Sequence, residues 1–275
     1  VIVELRAMQC LAERVSPATG YRHVGDLAWN WALAPEAETR LWRRDGQVLA
    51  WAWLEPPDSA MLQIDPAFPE IAEDVLDWIE ANLGDDVRLE LARTETALGQ
   101  AVRRRGYQPV EGPFMLCLGR DLTDLPRITV PAGFTLRPMR PEDALAWITM
   151  HASAFGETSL TPQRYQEMMA IWPYRPEFAV LVQAPDGTGA AYCQGWFDEL
   201  NGIGEFEPVG TAARYRRLGL ARAACVAVLH AFAAAGGARA VVYSRGDDAY
   251  PVPRQVYGSL GFTAVTRTDW FQLRR

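Results

Sequence analysis

The sequence predicts an α/β protein in which one plan is laid down twice, each time as a mixed sheet flanked by helices. Three observations carry that expectation. Short apolar-alternating segments, some joined by Asp-Gly turns, interleave with longer segments of helical periodicity. The same order of segments recurs on both sides of "GRDLTDLPRITVPAG" (119–133), a stretch rich in Pro, Asp and Thr. A length of 275 residues suits two units of ordinary domain size, placed at 1–124 and 125–275.

In the first half, "TRLWRRDGQVLAWAWL" (39–54) reads as a hairpin around Asp45-Gly46, a dipeptide suited to a tight antiparallel turn. "AMLQID" (60–65) is a further strand, "EIAEDVLDWIEANL" (70–83) a helix and "VRLELA" (87–92) a strand. A short helix and the Gly106 turn of "RRRGYQPV" (103–110) follow. The second half opens with "FTLRP" (134–138), and "TPQRYQEMMAIW" (161–172) is a helix with Thr161 as N-cap and Pro162 in its first turn. The hairpin "EFAVLVQAPDGTGAAYCQGWF" (177–197) turns at Asp186-Gly187. After it come the strand "GIGEFEPVGT" (202–211), the helix "LARAACVAVLHAFAAAG" (220–236) and the strand "ARAVVYS" (238–244). A short helix and "GSLGFTAV" (258–265), with Gly261, complete the parallel order.

Composition narrows the function. Hydrophobic residues at 49% and charged residues at 22% indicate a folded protein. No run of eighteen apolar residues occurs, so no membrane span is expected. The opening "VIVELRAMQC" lacks a secretory-signal pattern, which predicts a cytoplasmic location. Cys10, Cys117, Cys193 and Cys225 form no CxxC and read as buried free thiols, and His23, His151 and His230 show no metal-ligand spacing. Lysine is absent, so all 27 basic residues are arginine. That excludes a lysine-dependent phosphate loop, a Schiff-base mechanism and pyridoxal-phosphate chemistry. A net charge of −7 argues against nucleic acid as the main partner.

Against that acidic balance, "TAARYRRLGLARAA" (211–224) gathers Arg214, Arg216, Arg217 and Arg222 around Gly219, where a helix begins. A strand, a tight turn and a helix start would aim several backbone N–H groups at one point, and the helix dipole favours an anion there. Gly219 removes the Cβ that would keep a phosphate from the backbone, and Ala221 keeps the next turn small. The alternative is a solvated arginine cluster with Gly219 as an ordinary turn residue. The matching stretch of the first half, "DPAFPEIAEDV" (65–75), has no Gly or Arg and several carboxylates, so it would repel an anion.

Arg216-Arg217-Leu218-Gly219-Leu220-Ala221 resembles the Gln/Arg-x-x-Gly-x-Gly/Ala signature of the GNAT superfamily of acyl-CoA-dependent N-acyltransferases. "VYGSLGF" (256–262) is similar to that superfamily's Tyr-x-x-x-Gly-Phe segment, and "EFEPVGT" (205–211) occupies the place of its central splayed strand. The first half is similar to a degenerate copy. The resemblance implies two GNAT-like domains with mixed, mostly antiparallel sheets, and an acetyl-CoA site in the second. Backbone amides around Arg216, Arg217, Leu218, Gly219, Leu220, Ala221 and Arg222 would then hold the pyrophosphate. Backbone groups of Val209, Gly210 and Thr211 would flank the pantetheine arm as an added strand. One departure is Tyr250, which stands where the superfamily often has Asn.

Moving an acyl group from a thioester to an amine needs a base for the amine, donors for the carbonyl oxygen and a proton for the thiolate. The resemblance assigns the last role to Tyr257, a phenol of pKa ~10 that is protonated at neutral pH; the alternative is a core tyrosine. Glu207, placed on one face with Val209 and Glu205 by strand alternation, is the candidate base, with Glu205 in reserve. Glu207 could instead anchor a cationic acceptor or brace the strand. The Val209 amide is the oxyanion donor by resemblance. Trp172, Tyr174, Trp196 and Phe197 are either acceptor-pocket walls or core, and His151 is equally open. The expected activity is acetyl transfer in a ternary complex to a small amine or an amino-terminal group, with no metal. The rival from another class is a non-catalytic acyl-CoA-binding or interaction protein. A third, aminoacyl transfer from transfer RNA, needs a basic groove that the acidic balance disfavours.

Overall fold

In the computed structural model, which describes residues 2–156 and 158–274, Asp45-Gly46 turns the chain between β1 (Thr39–Arg44) and β2 (Gln47–Glu55). Both turn residues take positive φ, 51° and 80°, as a two-residue antiparallel turn requires. β3 (Ser59–Ile64) pairs antiparallel to β2. Two helices that the sequence reading did not foresee precede this hairpin, α1 (Ile2–Thr19) and α2 (Val24–Leu33). Val24, Leu27, Ala28, Trp29, Trp31 and Ala32 are all buried in α2, so the helix is covered over most of its circumference, and Asp26 and Asn30 form its half-exposed polar stripe.

The first half continues as expected through α3 (Ala72–Leu83), β4 (Asp86–Ala92) and α4 (Thr96–Arg104), and then adds two strands that the sequence reading did not foresee, β5 (Gln108–Val110) and β6 (Met115–Asp121), the second of which runs into the stretch read as a boundary. The second half runs β7 (Thr135–Pro138), α5 (Ala144–Phe155), α6 (Pro162–Met168), β8 (Ala179–Gln183), β9 (Gly189–Asp198) and β10 (Ile203–Thr211). It ends with α7 (Leu220–Ala234), β11 (Arg239–Arg245), α8 (Val252–Ser259) and β12 (Thr263–Arg274). The Thr161 hydroxyl caps α6 by accepting from the Arg164 N–H at 3.2 Å. That helix ends earlier than expected, at Met168, because the chain must leave the helical region before Pro173.

The described strands form one sheet in the order β1-β2-β3-β4-β12-β6-β11-β10-β9-β8-β7, with β5 beside β12. Most pairings are antiparallel; β3/β4 and β10/β11 are parallel and touch only briefly. β10 and β11 pair from Ile203↔Arg239 to Glu205↔Val241 and then part. The halves also exchange strands. β6 of the first half lies between β11 and β12, and the end of β12 lies between β4 and β5.

Helix α7 covers one sheet face, where Phe206, Phe197 and Phe178 meet Phe232. On the opposite face α2 and α5 pack over β9 and β10, with α6 against both of these helices and α1 lying against α2 and β2. Helices α3 and α4 cover the first half's strands. Cys117, Cys193 and Cys225 are buried free thiols, whereas Cys10, expected to be buried, is exposed. Among the described residues no helix is long and apolar enough to cross a membrane.

Candidate active site

The turn into α7 is left-handed at two positions. Arg217 has φ 65° and Gly219, the residue before the helix, has φ 79°. Only glycine adopts the second without strain, and a Cβ built at Gly219 would meet nothing within 4 Å, so the backbone lies open to the outside. The turn borders a cleft of about 440 Å³. Of the residues expected to hold an acyl-CoA, Val209, Gly210 and Thr211 on β10 and Arg216, Arg217, Gly219, Leu220, Ala221 and Arg222 at the turn all line it. Leu218 does not: it is 47% exposed and outside the lining. Facing the turn are Phe155 of α5, Tyr250, and Val256 and Tyr257 of α8.

The arginine cluster divides into two pairs. Arg216 donates to the Ala154 carbonyl at 2.9 Å and Arg214 to the Thr188 hydroxyl at 2.8 Å, so these two tie the turn to its surroundings. Arg217 and Arg222 have no hydrogen-bond or ion-pair partner among the described residues and remain available to an anion. This geometry fits the pyrophosphate of coenzyme A: open backbone amides at a helix start, two free guanidinium groups and an apolar slot beside them.

Beyond Glu205↔Val241, the edge of β10 that faces β11 has no strand partner. Tyr257 closes the slot from α8 and is 8% exposed. Its ring packs on Phe206 and Phe262, and its hydroxyl has no partner among the described residues. Burial, helped by Cys225, Cys193, Glu207 and Tyr192, pushes the phenol well above its ordinary pKa, so it stays protonated.

Strand alternation fails on β10. Phe206 pairs with Gly195 and Val209 with Cys193, so Glu207 and Pro208 stand opposite the single residue Gln194, a bulge. Phe206 and Val209 therefore share the α7 face, and Glu205 lies on the other. A Cβ on Gly25 of α2 would strike both Trp196 and Glu205, which puts those two side chains against α2. The expected common face for Glu205, Glu207 and Val209 is thus corrected by one inserted residue.

Glu205 is fully buried, with Oε2 2.9 Å from His23 Nδ1. Burial raises its pKa and His23 only partly opposes this. Burial also opposes a charge on His23, but the Glu205 carboxylate outweighs it and the imidazole pKa is raised. The His23 Nε2 lies 3.2 Å from the Ile203 carbonyl. Glu207 keeps part of its surface in solvent and its carboxylate accepts no hydrogen bond among the described residues; burial, then the Glu205 and Asp26 carboxylates, push it well above the ordinary carboxylate value. Glu207 does not line the acyl-CoA cleft.

The aromatic candidates separate by face. Phe197 stacks on Phe232 beneath α7 and belongs to the core. Trp172 lies at the surface under Arg6, 3.5 Å from the guanidinium carbon. Trp196 and Tyr174 sit on the α2 face, with rings 6.2 Å apart, and Trp196 Nε1 donates to the Glu207 carbonyl at 2.6 Å. His151 stacks on Trp147, and its Nδ1 lies 2.6 Å from the Tyr192 hydroxyl. Sequence reasoning missed His23 and Asp26; the one signal was "YRHVGD" (21–26), four ionisable groups opening an otherwise apolar helix.

The corresponding gap of the first half is filled by its own chain. Arg22 lies 3.3 Å from Met61 Sδ, Gln63 donates to the Tyr21 carbonyl at 3.5 Å, and the Thr94 hydroxyl bonds the Thr19 carbonyl. About 160 Å³ remains there, beside Pro66, Pro69 and Glu95. A larger cleft of about 460 Å³ near Arg93 and Arg103 is no better suited to an anion, because Asp269 takes Arg93 in two bonds of 2.6 and 3.1 Å.

No family model matches the sequence, and no match is found among the curated proteins. Solved structures match over nearly the whole length. A GCN5-related N-acetyltransferase from Sphaerobacter thermophilus has a TM-score of 0.65 at 20% identity, covering 99% of this chain and 93% of its own. An acetyltransferase of the GNAT family from Colwellia psychrerythraea gives 0.67 at 15%, covering 98% and 97%. A tandem GNAT protein from the clavulanic acid biosynthesis pathway gives 0.62 at 13%, covering 98% and 94%. The chain therefore has the GNAT acetyltransferase fold.

Proposed function

We propose that the chain is an N-acyltransferase that moves an acetyl group from acetyl-CoA to a small amine or an amino-terminal group within a ternary complex, using the site in residues 125–275. The observation that carries this reading is one cleft shared by the open Arg217–Gly219 turn, the unpaired edge of β10 and Tyr257. In this reading acetyl-CoA supplies the activated thioester. The turn amides with Arg217 and Arg222 bind its pyrophosphate, and the Val209 N–H receives the carbonyl oxygen as charge develops there. Glu207, at the bulge of β10, takes a proton from the ammonium directly or through water; burial and the Glu205 and Asp26 carboxylates raise its pKa, which makes it a stronger base than an ordinary carboxylate. The nitrogen then forms the new N–C bond as the C–S bond breaks, the Tyr257 hydroxyl gives its proton to the departing thiolate, and the excess proton on the acylated nitrogen passes through water to the Tyr257 phenolate, which leaves a neutral amide and restores the phenol.

A rival reading, a protein that binds acyl-CoA without turning it over, draws on the separation of Glu207 from the cleft lining. Thiol release from acetyl-CoA in the presence of tyramine, putrescine or glucosamine distinguishes the two. General-base removal typically costs ~10²–10⁴-fold, so Glu207→Gln should lower turnover at least about tenfold while acetyl-CoA affinity holds. Binding of acetyl-CoA with no thiol release would favour the binder, and no binding at all would remove both readings.

A further inference from the structure

Two of the unpaired buried acceptors in this protein stand on adjacent strands. Among the described residues the buried side-chain atoms without a hydrogen-bond partner are Arg22 Nε, Arg239 Nε, Trp147 Nε1, the Tyr174 hydroxyl, Gln194 Oε1 and Glu205 Oε1. Gln194 and Glu205 are both 0% exposed. They stand on adjacent strands, β9 and β10, and face the same way. Glu205 pairs in register with Trp196, whose side chain meets α2, and Gln194 lies two residues before Trp196 on an unbroken stretch of β9. Glu207 occupies the bulge opposite Gln194, with a carboxylate that accepts no hydrogen bond. Gln194 and Glu205 thus present unused acceptor oxygens on one face of the β9/β10 pair, with the Glu207 carboxylate at the adjacent bulge.

An unsatisfied buried acceptor costs stability, and a protein keeps several together only if something else satisfies them. A primary ammonium group is the complement: three N–H donors and one positive charge. A hydroxyl brings one donor and no charge. A carboxylate would be repelled by Glu205, Glu207 and Asp26. The nearest cations are already engaged, Arg22 with Asp26 at 3.4 Å and His23 with Glu205 at 2.9 Å.

We propose that the first half completes the acceptor site of the second: His23 holds the Glu205 carboxylate where, with Gln194 and Glu207, it receives the ammonium of a primary amine. His23 is a positioning residue. Its Nε2 donates to the Ile203 carbonyl at 3.2 Å and its Nδ1 to the Glu205 carboxylate at 2.9 Å, so both ring nitrogens are engaged and it reaches the acceptor only through Glu205. The inference rests on the acyltransferase reading above and adds to it the class of acceptor and a second contributor to the site.

The test is steady-state thiol release with acetyl-CoA and the best of tyramine, putrescine and glucosamine, on full-length Gln194→Met and His23→Gln. Gln194→Met keeps the side-chain volume and removes the unpaired oxygen. In each variant the amine KM should rise at least about tenfold, the loss of one charged contact, while the acetyl-CoA KM changes less than about twofold. A merely structural role would move both constants or neither. If His23→Gln fails to fold, Gln194→Met decides. An unchanged amine KM in folded Gln194→Met overturns the inference. So does a wild-type protein that binds acetyl-CoA but releases thiol with none of the amines. Absence of acetyl-CoA binding in the wild type would instead sink the acyltransferase reading itself.

Discussion

His23 Nδ1 and Glu205 Oε2 lie 2.9 Å apart although 182 residues separate them, and both side chains are essentially fully buried. The residue beside His23, Arg22, sends its guanidinium the other way, to Met61 and Asp26. One short segment between α1 and α2 therefore serves both pairs of parting strands. It plugs the gap between β3 and β4 and reaches the gap between β10 and β11. Arg22 does so with φ 60°, a conformation a non-glycine residue rarely keeps without tertiary support. The asymmetry between the halves is built by that segment as much as by the Arg-Gly turn.

One consequence is stoichiometric. Among the described residues only the second half has an open left-handed turn at a helix start, so calorimetric titration with acetyl-CoA should give one site per chain. Gly219→Glu should abolish that binding, because a carboxylate then stands where the phosphates approach. The fold should survive with a loss of about 1–2 kcal/mol for a side chain at φ 79°, since no atom lies within 4 Å of the new Cβ. Gly219→Ala separates strain from charge: it carries the same stability loss and should keep measurable binding. Two equivalent sites in the wild type would contradict the filled state of the first half.

Tyr257→Phe removes one oxygen and leaves the packing on Phe206 and Phe262 in place. Thiol release should fall at least about tenfold, since general-acid groups typically contribute ~10²–10⁴-fold. Acetyl-CoA affinity should change little. Because burial holds the phenol protonated, no alkaline loss of rate near pH 10 should be traceable to it. Equal turnover in the two proteins would take Tyr257 out of the chemistry, and a parallel loss of binding would make it a packing residue.

Much of this was readable in the residues. Asp45-Gly46 and Asp186-Gly187 announce hairpins, and "RRLGLA" announces the turn into α7, because each depends on neighbours in sequence. The β10 bulge was not readable: the "EFEPVG" alternation is broken by pairing with β9, which lies outside that stretch. Nor was the role of α2. Its broad buried apolar surface makes sense only once helices α1 and α6 and the second half's strands pack against it. The exchanged strands escape a linear reading for the same reason, since neither β6 nor β12 carries a local signal of where it inserts.

Acid stability should depend on His151. Burial lowers its pKa from 6.5 to about 4, and as a neutral ring it accepts from the Tyr192 hydroxyl at 2.6 Å. As pH falls below 6.5 the unfolded chain takes up this proton, whereas the folded protein does so only near 4. The unfolded state binds more protons in that window, so stability drops with acidity, by on the order of 3 kcal/mol. Glu95, raised to about 7, acts in the opposite sense, so the measurement must be a difference. His151→Asn keeps an acceptor for Tyr192 and cannot titrate there. Its melting temperature should fall less than the wild type's between pH 7 and pH 4.5; parallel falls would remove His151 as the cause.

The exchanged strands predict that the halves proposed at 1–124 and 125–275 do not fold apart. β6 pairs with β11 from Asp121↔Arg239 to Met115↔Arg245 and with β12 at Gly119↔Thr263. Its Leu118 is part of the α7 core, and the Met115 N–H donates to the Thr268 hydroxyl at 2.8 Å. A fragment of residues 125–275 lacks this strand, which leaves two facing edges with unpaired N–H and C=O groups and an uncovered apolar strip. Such edges are ready templates for aggregation. The 1–124 fragment in turn lacks the end of β12, which pairs with β4 from Ala92↔Thr268 to Asp86↔Arg274. Expressed alone, each fragment should be insoluble or melt without cooperativity. Expressed together they should yield a soluble complex with one cooperative transition, because every exchanged strand then finds its place. A monomeric 125–275 fragment with a sharp thermal transition would show that the exchange contributes little to folding.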